Sequence, residues 1–263
     1  MPRPDPNPFP PALAAPPLGA KVKASATLSE VFAAPGGEAA ALGFVMARLE
    51  QAFQERAQIK GRAAAGSHKP AASDRTPKPL TPILWLQERM VWREAGRPYL
   101  PGLGPRPLLL MQLSRPADIL IAAEEGLNCN VLAGVVAELR GNPSALSFTA
   151  LKRLALRAEA SGVPCWLIRQ SAEPGLSAAR ERWRIAPLPS DANPDDPRAP
   201  GTARWKLELF RSRDARPGEW EARHERTGES DEGRAPDHLD LVAAIRDGTL
   251  AETGAATRRR GFG

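Results

Sequence analysis

Short apolar runs alternate with amphipathic helical patterns through the middle of the chain. Four apolar runs have the length of strands: 82–88, 107–113, 131–139 and 163–169. The last two are the most continuously apolar, as expected for parallel strands covered on both faces. Ser114 can cap a helix that has Pro116 in its first turn. Apolar residues recur at helical spacing again from Leu151 to Ala158, and Gly162 ends that pattern. Strands alternating with helices predict an α/β fold with a mainly parallel central sheet.

The first strand and helix come earlier in the chain. Residues 27–33 (TLSEVFA) alternate apolar and polar side chains, which is typical of a strand. Gly36 and Gly37 predict a turn, and a helical apolar pattern then continues to about residue 55. A polar, proline-containing segment at 61–80 is expected to be a flexible linker inside the domain.

The pattern changes after residue 170. The segments 180–188, 204–213 and 218–224 alternate apolar and polar residues with no helix between them, so we expect late strands paired antiparallel at the sheet edge. Large apolar residues then become rare except at 239–245, which predicts one short helix in a mostly disordered tail over 226–263.

Domain boundaries follow from these shifts in composition. Residues 1–26 are rich in proline and alanine and are expected to be disordered. Their prolines also interrupt any signal-peptide core. One core domain is therefore expected over 27–225.

Composition narrows the class of protein. The chain has 263 residues, a formal charge of +6 and a pI of about 9.8, which suits contact with nucleic acid or an acidic partner. Cys129 and Cys165 form no CxxC pair and the three histidines have no metal-ligand spacing, so we expect no metal and a reducing cytoplasm. No apolar run reaches the roughly 20 residues needed to span a membrane.

The segment EVFAAPGGEAAALGFVMA has the layout of a phosphate-binding loop without its chemistry. A working loop reads GxxxxGK[ST], in which the lysine neutralises phosphate and the hydroxyl holds Mg²⁺. Here Gly36 and Gly37 form the turn, while Glu38 replaces the last glycine. Ala39 stands at the lysine and Ala40 at the hydroxyl, so we expect no catalytic residues and no nucleotide hydrolysis.

Five segments together resemble the RecA recombinase core and, more closely, the ImuA family of RecA-like accessory proteins in bacterial damage-induced mutagenesis. They are 30–47, 107–139, 146–170, 177–187 and 204–220, the last ending in RPGEW. The resemblance covers roughly residues 27–225 and implies a RecA-like core. It places Glu138 at the Walker B position. Two interpretations of Glu138 stay open, a Mg²⁺ ligand and a hydrogen-bonded carboxylate, and the missing lysine favours the second.

The resemblance also implies a function. It predicts a non-enzymatic, cofactor-free factor of translesion DNA synthesis in the SOS response. Its implied partners are ImuB, an inactive relative of Y-family polymerases, and an error-prone replicative-type DNA polymerase, with RecA and DNA as further candidates. Two alternatives remain: a cell-division inhibitor of the SOS response and an atypical RecA-like ATPase.

Two sets of residues are candidate contact sites. Basic residues on the late strands could contact DNA phosphates, or they could form a solvated edge of the sheet, and both interpretations stay open. These residues are Arg180, Arg182, Arg184, Arg204, Lys206, Arg211 and Arg213, with Arg216 nearby. Aromatic residues after the second predicted strand and a basic, aromatic end of the tail are candidates for partner binding: Trp92, Tyr99, Arg258, Arg259, Arg260 and Phe262. Trp85 and Trp183 are expected in the core.

Overall fold

The computed structural model describes residues 27–65, 81–100, 103, 106–226 and 237–244. Nine strands lie in these ranges: β1 (Leu28–Ala33), β2 (Ile83–Glu88), β3 (Leu108–Leu113), β4 (Gly134–Arg140), β5 (Cys165–Gln170), β6 (Glu181–Leu188), β7 (Ala203–Ser212), β8 (Gly218–Arg226) and β9 (Asp237–Ala244). Four helices accompany them: α1 (Glu38–Ala65), α2 (Arg89–Ala95), α3 (Pro116–Leu127) and α4 (Phe148–Ser161).

All nine strands form one sheet in the order β3-β2-β4-β5-β1-β6-β7-β8-β9. The pairs from β3 through β6 are parallel, and the pairs from β6 through β9 are antiparallel. The predicted α/β class, the mainly parallel sheet and the antiparallel late strands are therefore confirmed. One detail differs, because β6 pairs with β7 antiparallel but with β1 in parallel, after a crossover at 171–180 that contains no helix.

The two faces of the sheet carry different cores. Helix α1 packs on one face against five buried tryptophans: Trp85, Trp166, Trp183, Trp205 and Trp220. Phe44 of α1 lies 5.0 Å from the ring of Trp183 and 5.9 Å from that of Trp166, centroid to centroid. Helices α3 and α4 pack on the opposite face against aliphatic residues of β2, β4 and β5. Helices on both faces explain why β4 and β5 lie in nearly continuous apolar runs.

Local signals set most of the element ends. Ser147 caps α4 by accepting a hydrogen bond from the backbone N–H of Ala150 at 3.3 Å, and Gly162 ends that helix with a left-handed φ of 72°. Pro116 opens α3 as expected. The predicted cap at Ser114 is wrong, because Arg115 holds the cap position and no side chain caps the helix.

Three further elements differ from the sequence prediction. Helix α1 continues to Ala65, so it enters the segment predicted as a linker, whose remaining residues lie outside the described ranges. Helix α2 was not predicted. The helix predicted at 239–245 is wrong, since strand β9 pairs antiparallel with β8 and places Leu241 opposite Ala222. This pairing hydrogen-bonds one side of β8 that would otherwise be an open sheet edge.

Candidate functional site

The connection between β1 and α1 is a tight turn at the carboxyl end of the sheet. The backbone N–H of Gly37 donates to the carbonyl oxygen of Ala34 at 2.7 Å, which closes a four-residue turn. Pro35 lies at the second position and Gly36 at the third with a φ of 74°, the arrangement that a type II turn requires. The two predicted turn glycines are therefore placed as expected.

Strand β6 packs directly beneath this turn. The backbone N–H of Ala34 donates to the carbonyl oxygen of Ile185 at 2.9 Å. A Cβ atom built on Gly37 would lie 3.1 Å from Cδ of Pro187 and 2.9 Å from the oxygen of Ala34. Gly37 is therefore required for close packing, and its N–H already has an acceptor inside the turn.

The residues aligned with phosphate-loop chemistry lie in the first turn of α1. Glu38 is the first helical residue and adds negative charge at the helix N-terminus. Ala39 is exposed, whereas Ala40 is 4% exposed and packs in the tryptophan-rich core. A hydroxyl at position 40 would therefore face apolar side chains, and the first turn of α1 carries neither the lysine nor the hydroxyl of a working phosphate loop.

Glu138 is buried at the α1 face of the sheet, in β4. Its Oε1 accepts a hydrogen bond from Nε1 of Trp85 at 2.5 Å, and its Oε2 accepts one from Nε2 of Gln170 at 3.4 Å. Burial raises the pKa of Glu138 to about 7, while hydrogen bonds from Trp85 and Gln87 oppose that rise. A cation at this carboxylate would compete with the indole N–H for Oε1. The arrangement supports the hydrogen-bonded interpretation of Glu138 over the Mg²⁺ ligand.

Gln87 extends this polar cluster toward the segment after α2. Its Nε2 donates to the carbonyl oxygen of Gly96 at 3.0 Å, while its buried Oε1 has no partner among the described residues. Sequence reasoning missed both Gln87 and Gln170. The available signal was a glutamine at the carboxyl end of each of two strands that are otherwise apolar.

A second buried polar cluster lies on the opposite face, under α4. Glu30 of β1 accepts hydrogen bonds from Arg169 of β5 at 3.2 Å and from Arg182 of β6 at 2.7 Å. All three side chains are at most 5% exposed. Phe32 lies between the guanidinium groups, at 5.5 and 5.3 Å from its ring centroid. The sequence analysis did not single out Glu30. The available signal was a carboxylate in the middle of a strand, which must find a partner when strands pack on both sides of it.

The structure separates the basic residues that the sequence grouped as a DNA-binding set. Arg182 is buried against Glu30, so it is not available at the surface. Arg180 pairs with Glu159 at 2.8 Å and with Asp214 at 3.5 Å. The predicted shared face of the arginines is confirmed for Arg182 and Arg184, both of which contact the ring of Phe210, and Trp183 is core on the other face as predicted.

Most of the remaining basic residues of this set form ion pairs across β6, β7 and β8. Arg184 pairs with Glu208 at 2.8 Å, and Lys206 pairs with Glu219 at 2.8 Å. Arg204 binds the carboxylate of Glu221. Arg211 and Arg213 differ, because they are exposed and have no ion-pair partner within the described ranges, and the same is true of Arg216. Contact with DNA stays a prediction for this set, although the burial of Arg182 does not favour it for that residue.

The predicted partner-binding residues fall into two groups. Tyr99 is 73% exposed, and Trp92 of α2 is half-buried. Trp85 is fully buried in the core, as expected. Four further candidates lie outside the described residues: Arg258, Arg259, Arg260 and Phe262.

The described residues show neither a metal-binding cluster nor a helix that could span a membrane. No group of three or more histidine, cysteine or carboxylate residues is arranged to hold a metal ion in the described part of the chain. Among the described helices, none combines the length and the apolar character that crossing a bilayer requires.

Comparison with known proteins identifies curated relatives. Over 188 residues the chain is 32% identical to Protein ImuA of Caulobacter vibrioides, in strain NA1000 / CB15N and in strain ATCC 19089 / CIP 103742 / CB 15, covering 67% of this chain and 72% of each relative. No protein-family model matches the chain. Among solved structures, a DnaB-like replicative helicase studied for its interactions with primase aligns with a TM-score of 0.39 and 8% identity, covering 76% of this chain and 56% of the helicase chain.

Proposed function

The chain belongs to the ImuA family, and we propose that it is a non-catalytic accessory factor of damage-induced mutagenesis that serves translesion DNA synthesis in the SOS response. It acts as a scaffold in the cytoplasm. It binds proteins rather than turning over a nucleotide.

The closed turn between β1 and α1 carries the non-catalytic part of this proposal. The N–H of Gly37 is bonded to the oxygen of Ala34, and Pro187 fills the space beneath it. A phosphate-binding loop needs several free backbone N–H groups and a lysine around the phosphates. In this turn the N–H of Gly37 is already bonded, and the exposed Ala39 stands where the lysine would be. Nucleotide hydrolysis is therefore not expected of this chain.

The scaffold assembles partner proteins that carry the catalytic activity it lacks. The proposed partners are ImuB and an error-prone replicative-type DNA polymerase, with RecA as a further candidate. Tyr99 and Leu100 lie in the segment that follows α2, and both are exposed, Leu100 at 57%. Exposed aromatic and apolar side chains are typical of interfaces, so this segment supports a protein contact.

A deletion strain tests the role in the cell. We expect ultraviolet-induced mutation frequency to collapse in a strain without this gene while cell lengths after damage stay normal, and the wild-type gene should restore induced mutation. Unchanged mutation together with loss of filamentation would instead support a division inhibitor.

Calorimetry tests the non-catalytic part separately. Titration of the purified chain with Mg-ATP should give no heat of binding up to millimolar nucleotide. Submillimolar binding would contradict this part of the proposal and favour an atypical ATPase, whatever the deletion phenotype.

A further inference from the structure

The turn that joins β7 to β8 concentrates unpaired positive charge. Arg211, Arg213 and Arg216 lie within or beside this turn, and all three are exposed. In the described chain none of them has an acidic partner, whereas Arg184, Arg204 and Lys206 of the same antiparallel strands are each ion-paired. Among the late-strand side chains that the structure describes, the internal pairing leaves these three arginines able to accept an external anion.

The nearby acids are already engaged. Asp214 is the acidic residue between the arginines, and its carboxylate lies 3.5 Å from the guanidinium of Arg180. Arg180 is held from its other side by Glu159 of α4 at 2.8 Å. Glu159 and Asp214 together carry one more negative charge than Arg180, so this cluster offsets part of the charge of the three turn arginines, and the turn keeps a net positive charge.

The turn is held in a defined conformation before any partner binds. Oγ of Ser212 accepts hydrogen bonds from the backbone N–H groups of Asp214 at 3.2 Å and Ala215 at 3.0 Å. The backbone N–H of Arg213 donates to the carbonyl oxygen of Arg180 at 3.0 Å, which fixes the turn to the start of β6. An ordered backbone lowers the entropy cost of placing several charges against one ligand.

The turn lies at the opposite end of the sheet from the closed turn at 34–37. Ser212 is in register with Glu181, the first residue of β6, while Ile185 and Pro187 near the end of β6 pack under the closed turn. The charge at 211–216 therefore belongs to a surface separate from the degenerate phosphate loop.

From these observations we propose that Arg211, Arg213 and Arg216 bind the phosphate backbone of nucleic acid. This inference rests on the proposed function in DNA-damage tolerance. Phosphate contacts require cationic side chains and no apolar pocket. The turn fits this requirement, because residues 211–216 include no large apolar side chain and Ala215 is partly buried against the core.

Two triple variants with equal loss of charge test the assignment. The test variant is R211Q/R213Q/R216Q. The control is R89Q/R93Q/R97Q, which removes three exposed arginines from α2 and the residues after it. Binding of labelled single-stranded and duplex oligonucleotides would be followed by fluorescence anisotropy as salt is raised from about 50 to 200 mM.

The wild type should bind with a log–log salt slope near −2 on single strands and near −3 on duplex, the values for about three phosphate contacts. The test variant should lose at least about tenfold in affinity at the lowest salt and most of that slope, while the control keeps both. Matching urea unfolding curves for all three proteins would establish that each is folded.

Four results would overturn the inference: no DNA binding by the wild type, an unchanged slope in the test variant, equal losses in both variants, or displacement of DNA by poly-glutamate as effective as by unlabelled DNA of equal charge. The last result would identify an acidic protein as the partner. The deletion experiment remains independent, since loss of induced mutation in the deletion strain together with unaltered DNA binding by the test variant would reject only this inference.

Discussion

Trp85 of β2 donates its indole N–H to the carboxylate of Glu138 on the adjacent strand β4, in the interior of the sheet. Glu138 is only 4% exposed, and no basic side chain is among its hydrogen-bond partners. Burial therefore outweighs the hydrogen bonds, and the pKa of Glu138 rises from 4.5 to about 7. This carboxyl group is protonated in the folded chain at pH values where an exposed glutamate is ionised.

The raised pKa of Glu138 makes stability depend on pH. Between pH 4.5 and 7 the folded state keeps a proton that the unfolded state releases, so the free energy of unfolding falls as pH rises through this window. The full effect is about 3 to 4 kcal/mol, at about 1.4 kcal/mol for each pKa unit. Glu138→Gln cannot ionise, so its stability should fall less than that of wild type between about pH 5 and 8.

Urea unfolding at both ends of that pH range measures this difference. Glu173→Gln is the matched control, because Glu173 is exposed in the loop after β5 and should leave the wild-type pH dependence intact. Parallel stability–pH curves for wild type and Glu138→Gln would show that Glu138 does not titrate in this window.

The strand pattern made most of the fold predictable. Apolar runs such as 163–169 can be stable only under helices on both faces, so they indicated central strands of a parallel sheet. The residues 239–245 misled, because LDL alternates like a strand while LVAAI also fits a helix turn. Pairing with the open edge of β8 favours the strand over the helix. That edge exists only in the assembled sheet, so the local sequence does not show it.

Replacement of Glu30 tests the buried ion cluster. Glu30→Gln would leave Arg169 and Arg182 buried without a counter-charge, so we expect a loss of about 3 to 5 kcal/mol in the free energy of unfolding. The exposed pair of Arg184 and Glu208 provides the comparison, and Glu208→Gln should cost less than about 1 kcal/mol. Equal losses for the two variants in urea unfolding would mean that burial does not govern these pairs.

The contact between α1 and β7 gives a packing prediction. A Cβ atom on Gly43 would lie 2.9 Å from Cζ2 of Trp205 and closer still to its Cη2. Trp205 is buried and cannot move away freely, so Gly43→Ala should destabilise the chain by about 1 to 3 kcal/mol despite the better helix propensity of alanine. Gly175→Ala, with no atom within 4 Å of the new Cβ, should change thermal stability little. A neutral Gly43→Ala would show that α1 can shift on the sheet.

The candidate site was less predictable than the fold. Alternation placed Arg182 and Arg184 on one face of β6, which is correct. It could not show that Arg182 meets Glu30, a residue 152 positions earlier in the chain. Whether an arginine is free depends on which acidic residue the folded sheet brings beside it. Arg211 and Arg213, which have no acidic partner in the described ranges, could therefore be separated from the rest only in the structure.

Restoring the missing side chains of the phosphate loop should not restore nucleotide binding. In E38G/A39K/A40T the lysine, hydroxyl and last glycine return, but the turn before them stays closed by the hydrogen bond from Gly37 to Ala34. We expect no Mg-ATP binding by calorimetry up to millimolar nucleotide, because an isolated lysine beside a helix N-terminus lacks the backbone cradle that holds the phosphates. Position 40 is buried, so the exposed single change Ala39→Lys serves as a variant that should keep wild-type thermal stability. Submillimolar binding by a folded triple variant would mean that the turn can open, and that the side chains alone separate this chain from an active nucleotide site.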